Sequence, residues 1–152
     1  MKLAQYPLAM SHDKMTFEFF SEGKTERILK IVEYQPMGLK KIYNLALGDK
    51  DPLTGEIDDM VSSNNGDRDK VLATIAATIY TFTDQYPETR VYMAGNTKTR
   101  TRLYRMSISR FLNEICRDFV VLGELDNKWT MFKINTEYSG FLVIRKSKFL
   151  KL

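Results

Sequence analysis

Thr16-Phe17-Glu18-Phe19-Phe20, then Glu22-Gly23-Lys24, then Arg27-Ile28-Leu29-Lys30-Ile31-Val32-Glu33-Tyr34 is the stretch that decides the fold. The first run alternates apolar and polar residues, the second segment is a turn, and the third is a β-branched run that stops near Pro36 and Gly38. That is the pattern of two strands on a short connection. Lys41-Ile42-Tyr43-Asn44-Leu45-Ala46-Leu47-Gly48-Asp49 supplies a third strand. Its Ile42, Asn44 and Ala46 share one face, and Tyr43, Leu45 and Leu47 the other. A loop with Pro52 and Gly55 leads to residues 57–61, read as a short fourth strand. Consecutive strands on short turns imply an antiparallel meander.

Downstream the period changes. Asn64-Asn65-Gly66-Asp67 reads as a turn with Asp67 as helix N-cap. Val71, Leu72, Ile75, Ala76, Ile79, Phe82 and Thr83 then recur at three- and four-residue steps, up to the stop at Pro87. Residues 90–94 form a short buried strand. The spacing predicts a second helix over about 99–117, with Tyr104, Ile108, Phe111, Ile115 and Phe119 on one face. Arg102, Arg110 and Arg117, with Asn113 between them, fall on the opposite face. Residues 119–124, 128–134 and 139–146 close the chain as strands, the first two joined at Asp126-Asn127. The predicted order is β-β-β-(β)-α-β-α-β-β-β, an α+β fold of two amphipathic helices on a mainly antiparallel sheet. The expectation is a single domain over 1–152, with 1–13 a loosely ordered arm.

The 152 residues carry a net charge of +4, unevenly spread. Residues 1–88 hold 10 basic and 14 acidic side chains, and residues 89–152 hold 13 and 5. A polarised surface of this kind suits an acidic partner. The single cysteine, Cys116, excludes an internal disulfide and fits a reducing cytoplasm; its helical setting predicts a small buried apolar residue. No apolar run approaches the ~20 residues that cross a bilayer, so no membrane partner is expected.

From Arg90 to Asn113 inclusive there are six basic residues and no acid. Most fall in Ala94-Gly95-Asn96-Thr97-Lys98-Thr99-Arg100-Thr101-Arg102-Leu103-Tyr104-Arg105-Met106, between a strand-like and a helix-like run. A helix start offers N–H groups and about half a positive charge to an anion. Gly95 allows close approach, the small polar residues offer donors, and arginines add bidentate phosphate contacts. The candidate anion- or nucleic-acid-binding residues are therefore Asn96, Thr97, Lys98, Arg100, Arg102, Arg105, Arg110 and Arg117. The spacing matches neither a P-loop nor a dinucleotide fingerprint. The competing reading pairs these arginines internally with Asp49, Asp51, Glu56, Asp58 and Asp59.

Tyr43-Asn44-Leu45-Ala46-Leu47-Gly48-Asp49, Gly55-Glu56-Ile57-Asp58-Asp59, Ser63-Asn64-Asn65-Gly66-Asp67, Val71-Leu72-Ala73-Thr74-Ile75-Ala76-Ala77-Thr78 and Thr99-Arg100-Thr101-Arg102-Leu103-Tyr104-Arg105-Met106 occur in that order. In order and spacing they resemble an uncharacterised bacterial domain-of-unknown-function family of small single-domain proteins, over roughly residues 14–146. The resemblance implies a stand-alone bacterial protein and brings no activity, cofactor or assigned site.

Enzyme chemistry finds little footing. His12 is the only histidine and sits in the arm, which disfavours a histidine triad or a zinc site. The acidic loop 49–59 fails the calcium-loop pattern, because Leu53 and Thr54 stand where an oxygen ligand and a glycine belong. The order meander-helix-strand-helix is similar to the opening of ribonuclease-H-type nucleases. The helix, however, has no acid between Asp69 and Asp84, and the strand end offers Asn96. No catalytic residue, metal ligand or cofactor is assigned. Aromatics at Phe17, Phe19, Phe20, Tyr34, Tyr43, Trp129 and Phe132 would stack single-stranded bases if exposed beside basic groups. The sequence thus predicts a non-enzymatic module for nucleic acid, single-stranded favoured, or another phosphate-bearing ligand. The alternatives are a protein-interaction or homodimerising module and, third, a metal-dependent phosphoryl-transfer enzyme using Asp49, Asp51, Asp58 or Asp59.

Overall fold

The computed structural model describes residues 4–24, 26–39, 41–58, 66–95 and 97–149. The fold is α+β with mainly antiparallel pairing, as predicted. The chain forms two compact units, residues 1–35 with 46–85, and residues 36–45 with 86–152.

In the first unit β1 (Ala9–Met10), β2 (Thr16–Glu22), β3 (Arg27–Pro36) and the second half of β4 (Ile42–Lys50) pair in that order. β5 (Ile57–Asp58) adds to β4 through Asp49↔Asp58; the remainder of the predicted fourth strand, 59–61, lies outside the described residues. The β2–β3 register sets Phe17 opposite Val32 and Phe19 opposite Lys30, so the alternation that predicted β2 puts Phe17, Phe19 and Ser21 on one buried face. Against such a face α1 (Arg68–Gln85) offers Thr74, Thr78 and Phe82. Tyr34 stacks on Phe82 with ring centroids 4.0 Å apart, and its hydroxyl meets that of Thr78 at 2.8 Å. The three fully buried threonines of α1 are satisfied by their own helix: Thr74 donates to the Lys70 carbonyl, Thr78 to Ile75 and Thr83 to Ile79, each at 2.7 Å.

The segment read as a loose arm contributes Tyr6, which is buried, stacked on Phe19, and held by its N–H to the Thr74 hydroxyl at 2.9 Å. Asp67 precedes α1 at the expected cap position, and its Oδ2 accepts the hydroxyls of Ser21 at 2.5 Å and Tyr6 at 2.6 Å. Lys30, with its ammonium in the same unit, reaches Asp49 at 2.6 Å with both side chains largely shielded.

In the second unit the first half of β4 pairs with β6 (Arg90–Met93), and the order continues through β9 (Gly140–Arg145), β7 (Phe119–Leu125) and β8 (Lys128–Met131). β4 and β6 run parallel, a departure from the pure meander. Parallel neighbours need a crossover of a dozen or more residues, which 51–89, α1 included, provide. β9 lies between β6 and β7, antiparallel to both, with Val143 flanked by Val91 and Val121. All five residues from Gly140 to Ile144 are buried, which suits an inner strand covered on both faces.

The predicted second helix is two helices. α2 (Lys98–Arg110) ends at Phe111, whose φ of −107° and ψ of 19° break the ladder, and α3 (Leu112–Asp118) restarts beyond it. Tyr104 and Ile108 are buried as expected, but Phe119, assigned to the same helical face, begins β7. Cys116 is exposed on α3 rather than buried, because this helix of about two turns buries no side chain fully. A short α4 (Lys146–Phe149) follows β9. No described helix is long and apolar enough to cross a membrane.

Candidate anion-binding face

The passage from β6 into α2 is closed on itself. Gly95 N–H donates to Thr101 Oγ1 at 2.9 Å, and that hydroxyl lies 3.3 Å from the Gly95 carbonyl and 3.2 Å from the Thr97 carbonyl. Thr97 is the N-cap, accepting from Arg100 N–H at 3.1 Å. A Cβ on Gly95 would sit 2.5 Å from both Arg100 Cβ and the Thr101 nitrogen. The glycine is therefore needed for the approach of the helix's first turn, not for that of a ligand. The Gly95 donor is thus used inside the loop, and the Thr97 hydroxyl oxygen accepts from the first turn of the helix. Asn96 lies outside the described residues.

The charged side chains divide by position on α2. Arg100 is half-buried. Tyr104, one turn on, has its phenol pushed above the usual range by burial, opposed by the charge of Arg100. Arg105 is also half-buried; its Nη1 stands 3.9 Å from Glu137, whose side chain is 94% exposed, so the pair is loose and contributes little. Lys98 and Arg102 are exposed, and neither forms an ion pair among the described residues. Arg110 is exposed with its guanidinium 5.1 Å from the Phe111 ring centre. Across the break, Arg117 is exposed in the last turn of α3. α2 carries no acidic residue.

Sequence reasoning missed one neighbour. Lys146 donates to the carbonyl of Cys116 at 3.3 Å, which brings its ammonium to the C-terminal end of α3. The excess charge of residues 89–152 hinted at such a cation, but only the fold brings the start of α4 to α3. Arg145, facing Phe119 across the β9–β7 ladder, lays its guanidinium 4.9 Å from that ring.

Two acids of the loop have partners close by. Asp49 engages Lys30, while Asp51 Oδ1 accepts the N–H groups of Leu53 and Thr54 and so closes its own turn. Glu18 pairs with Lys50 at 2.8 Å. No group of three or more potential metal ligands gathers among the described residues. Asp59 lies outside them.

The predicted aromatic platform is largely core: Phe17, Phe19 and Tyr34 are buried against α1 or its partners. Tyr43 and Phe132 are half-buried. Phe20 and Trp129 are exposed, Phe20 under the guanidinium of Arg27 at 3.8 Å.

No curated protein and no solved structure matches the chain. Residues 2–146, nearly all of it, match the family of unknown function DUF6934, and the chain belongs to that family.

Proposed function

We propose that the chain is a non-enzymatic module that binds nucleic acid, or another polyanion bearing phosphates, through the exposed cations of α2 and α3. One observation carries this reading: Lys98, Arg102, Arg110 and Arg117 are exposed on consecutive helices, of which α2 has no acid. At 100° per residue Arg102 and Arg110 flank exposed Met106, while Tyr104 and Ile108 hold the other side of the helix in the core. Guanidinium groups held out in this way suit bidentate contacts to phosphate oxygens. Backbone contacts of this type give affinity without sequence readout.

The test is binding of the full chain to labelled single- and double-stranded oligonucleotides of mixed sequence, followed by fluorescence anisotropy at low salt. The reading expects saturable binding that weakens when Arg102, Arg110 and Arg117 are replaced by alanine. Equal affinity of wild type and triple variant would remove it. A second reading, a self-associating module, draws support from a different place, the free edge of β8.

A further inference from the structure

β8 ends the strand order of the second unit, and among the described residues it pairs with β7 alone. The direction of its remaining hydrogen-bonding groups follows from the register. Phe132 N–H donates to the Val121 carbonyl at 3.0 Å. Because backbone groups alternate in direction along an antiparallel strand, Thr130 and Lys128 also face β7. The N–H and C=O groups of Trp129 and Met131 therefore point away from the sheet. All four side chains of β8 are exposed, with Trp129 at 40% and Met131 at 56%. An edge of this kind is a template for another strand.

We infer that β8 pairs antiparallel with β8 of a second copy of this chain, about a two-fold axis through Thr130. The edge is self-complementary in that register. Trp129 of one copy stands opposite Met131 of the other, and each of these two pairs exchanges both outward N–H···O=C bonds. Trp129 and Met131 project to the same face, so each indole meets a thioether across the axis. The indole is already placed by an edge-on contact with Tyr92 at 6.0 Å, and Tyr92 is fixed in turn by Glu124. Lys128 lies opposite Phe132 rather than another lysine. Such an isologous contact closes as a dimer and leaves no β8 edge open.

The test is sedimentation or light scattering of the full chain across a wide concentration range, combined with site-directed crosslinking. Wild type is expected to dimerise, and Trp129→Lys to weaken association by about thirtyfold or more, the size of a hot-spot tryptophan. Thr130 on the axis would be a non-hydrogen-bonded pair with itself, at a Cα separation of about 4.5 Å, within reach of a disulfide. In a Cys116→Ser background, Thr130→Cys should oxidise to a covalent dimer readily and Lys128→Cys should not. A wild-type monomer at every concentration would overturn the inference. So would a dimer indifferent to Trp129→Lys, or equal crosslinking at positions 128 and 130. Circular dichroism of each variant separates loss of pairing from loss of fold.

Discussion

Gly95 and Thr101 lock the start of α2 to the end of β6: the Gly95 N–H donates to the Thr101 hydroxyl at 2.9 Å, and no room remains for a Cβ between them. Gly95→Ala must push back the backbone of the first helical turn, which is rigid where a flexible side chain would yield. The expected cost is about 2–3 kcal/mol, as for other overpacked sites, or a melting temperature lower by roughly 5–10 °C for a chain of this size. Thr101→Val keeps the volume but strands the Gly95 donor, for about 1–2 kcal/mol. Thermal unfolding of both variants checks the lock; wild-type melting temperatures would show that the turn tolerates both changes.

Asp67 ties three segments together, and its titration should be visible in folding stability. Burial disfavours its charged form, but the hydroxyls of Ser21 and Tyr6, with the charge of Lys30, outweigh that and hold its carboxyl below the usual range. A depressed folded pKa means that the stabilisation is complete above the unfolded carboxylate value and disappears as pH falls through the folded one. Asp67→Asn should therefore destabilise at neutral pH, by about 1–3 kcal/mol. The gap between variant and wild type should narrow in acid below about pH 4. Urea titrations at several pH values measure this. A gap of constant size, or one that widens in acid, contradicts the assigned hydrogen bonds.

Lys30 and Asp49 form a shielded ion pair, and truncating either side removes a charge-assisted hydrogen bond in a poorly hydrated place. Asp49→Ala and Lys30→Ala are each expected to cost about 3 kcal/mol, and the double substitution much less than the sum. A double-mutant cycle in denaturant reads the coupling directly. Additive costs would mean that Asp49 has another principal role, such as the cation site considered from sequence.

Much of this was legible beforehand because local patterns carried it. The alternation at Phe17 and Phe19 gave β2 its buried face, the steps from Ile75 to Phe82 gave α1 its stripe, and Asp126-Asn127 marked the β7–β8 turn. The break at Phe111 was invisible because the four-three-four spacing of Tyr104, Ile108, Phe111 and Ile115 continues straight through it. The parallel β4–β6 pair and the insertion of β9 beside β7 were equally hidden, since strand periodicity says which face is buried but not which strand is the neighbour. The cations of the candidate face could be counted from sequence, and the opposition of Arg102 and Arg110 to Tyr104 and Ile108 followed from helical geometry. That Thr101 would consume the Gly95 donor, and that Lys146 would reach the end of α3, depended on contacts made only in the folded chain.

The central claim, that the exposed cations of α2 and α3 meet phosphate, is tested most directly by the salt dependence of oligonucleotide binding. Each phosphate neutralised on a single strand contributes about −0.7 to the slope of log affinity against log salt. Wild type should therefore show a steep negative slope, and replacing Arg102, Arg110 and Arg117 together by alanine should flatten it by about 2. Undetectable binding at low salt, or a slope that the three substitutions leave unchanged, would contradict the account.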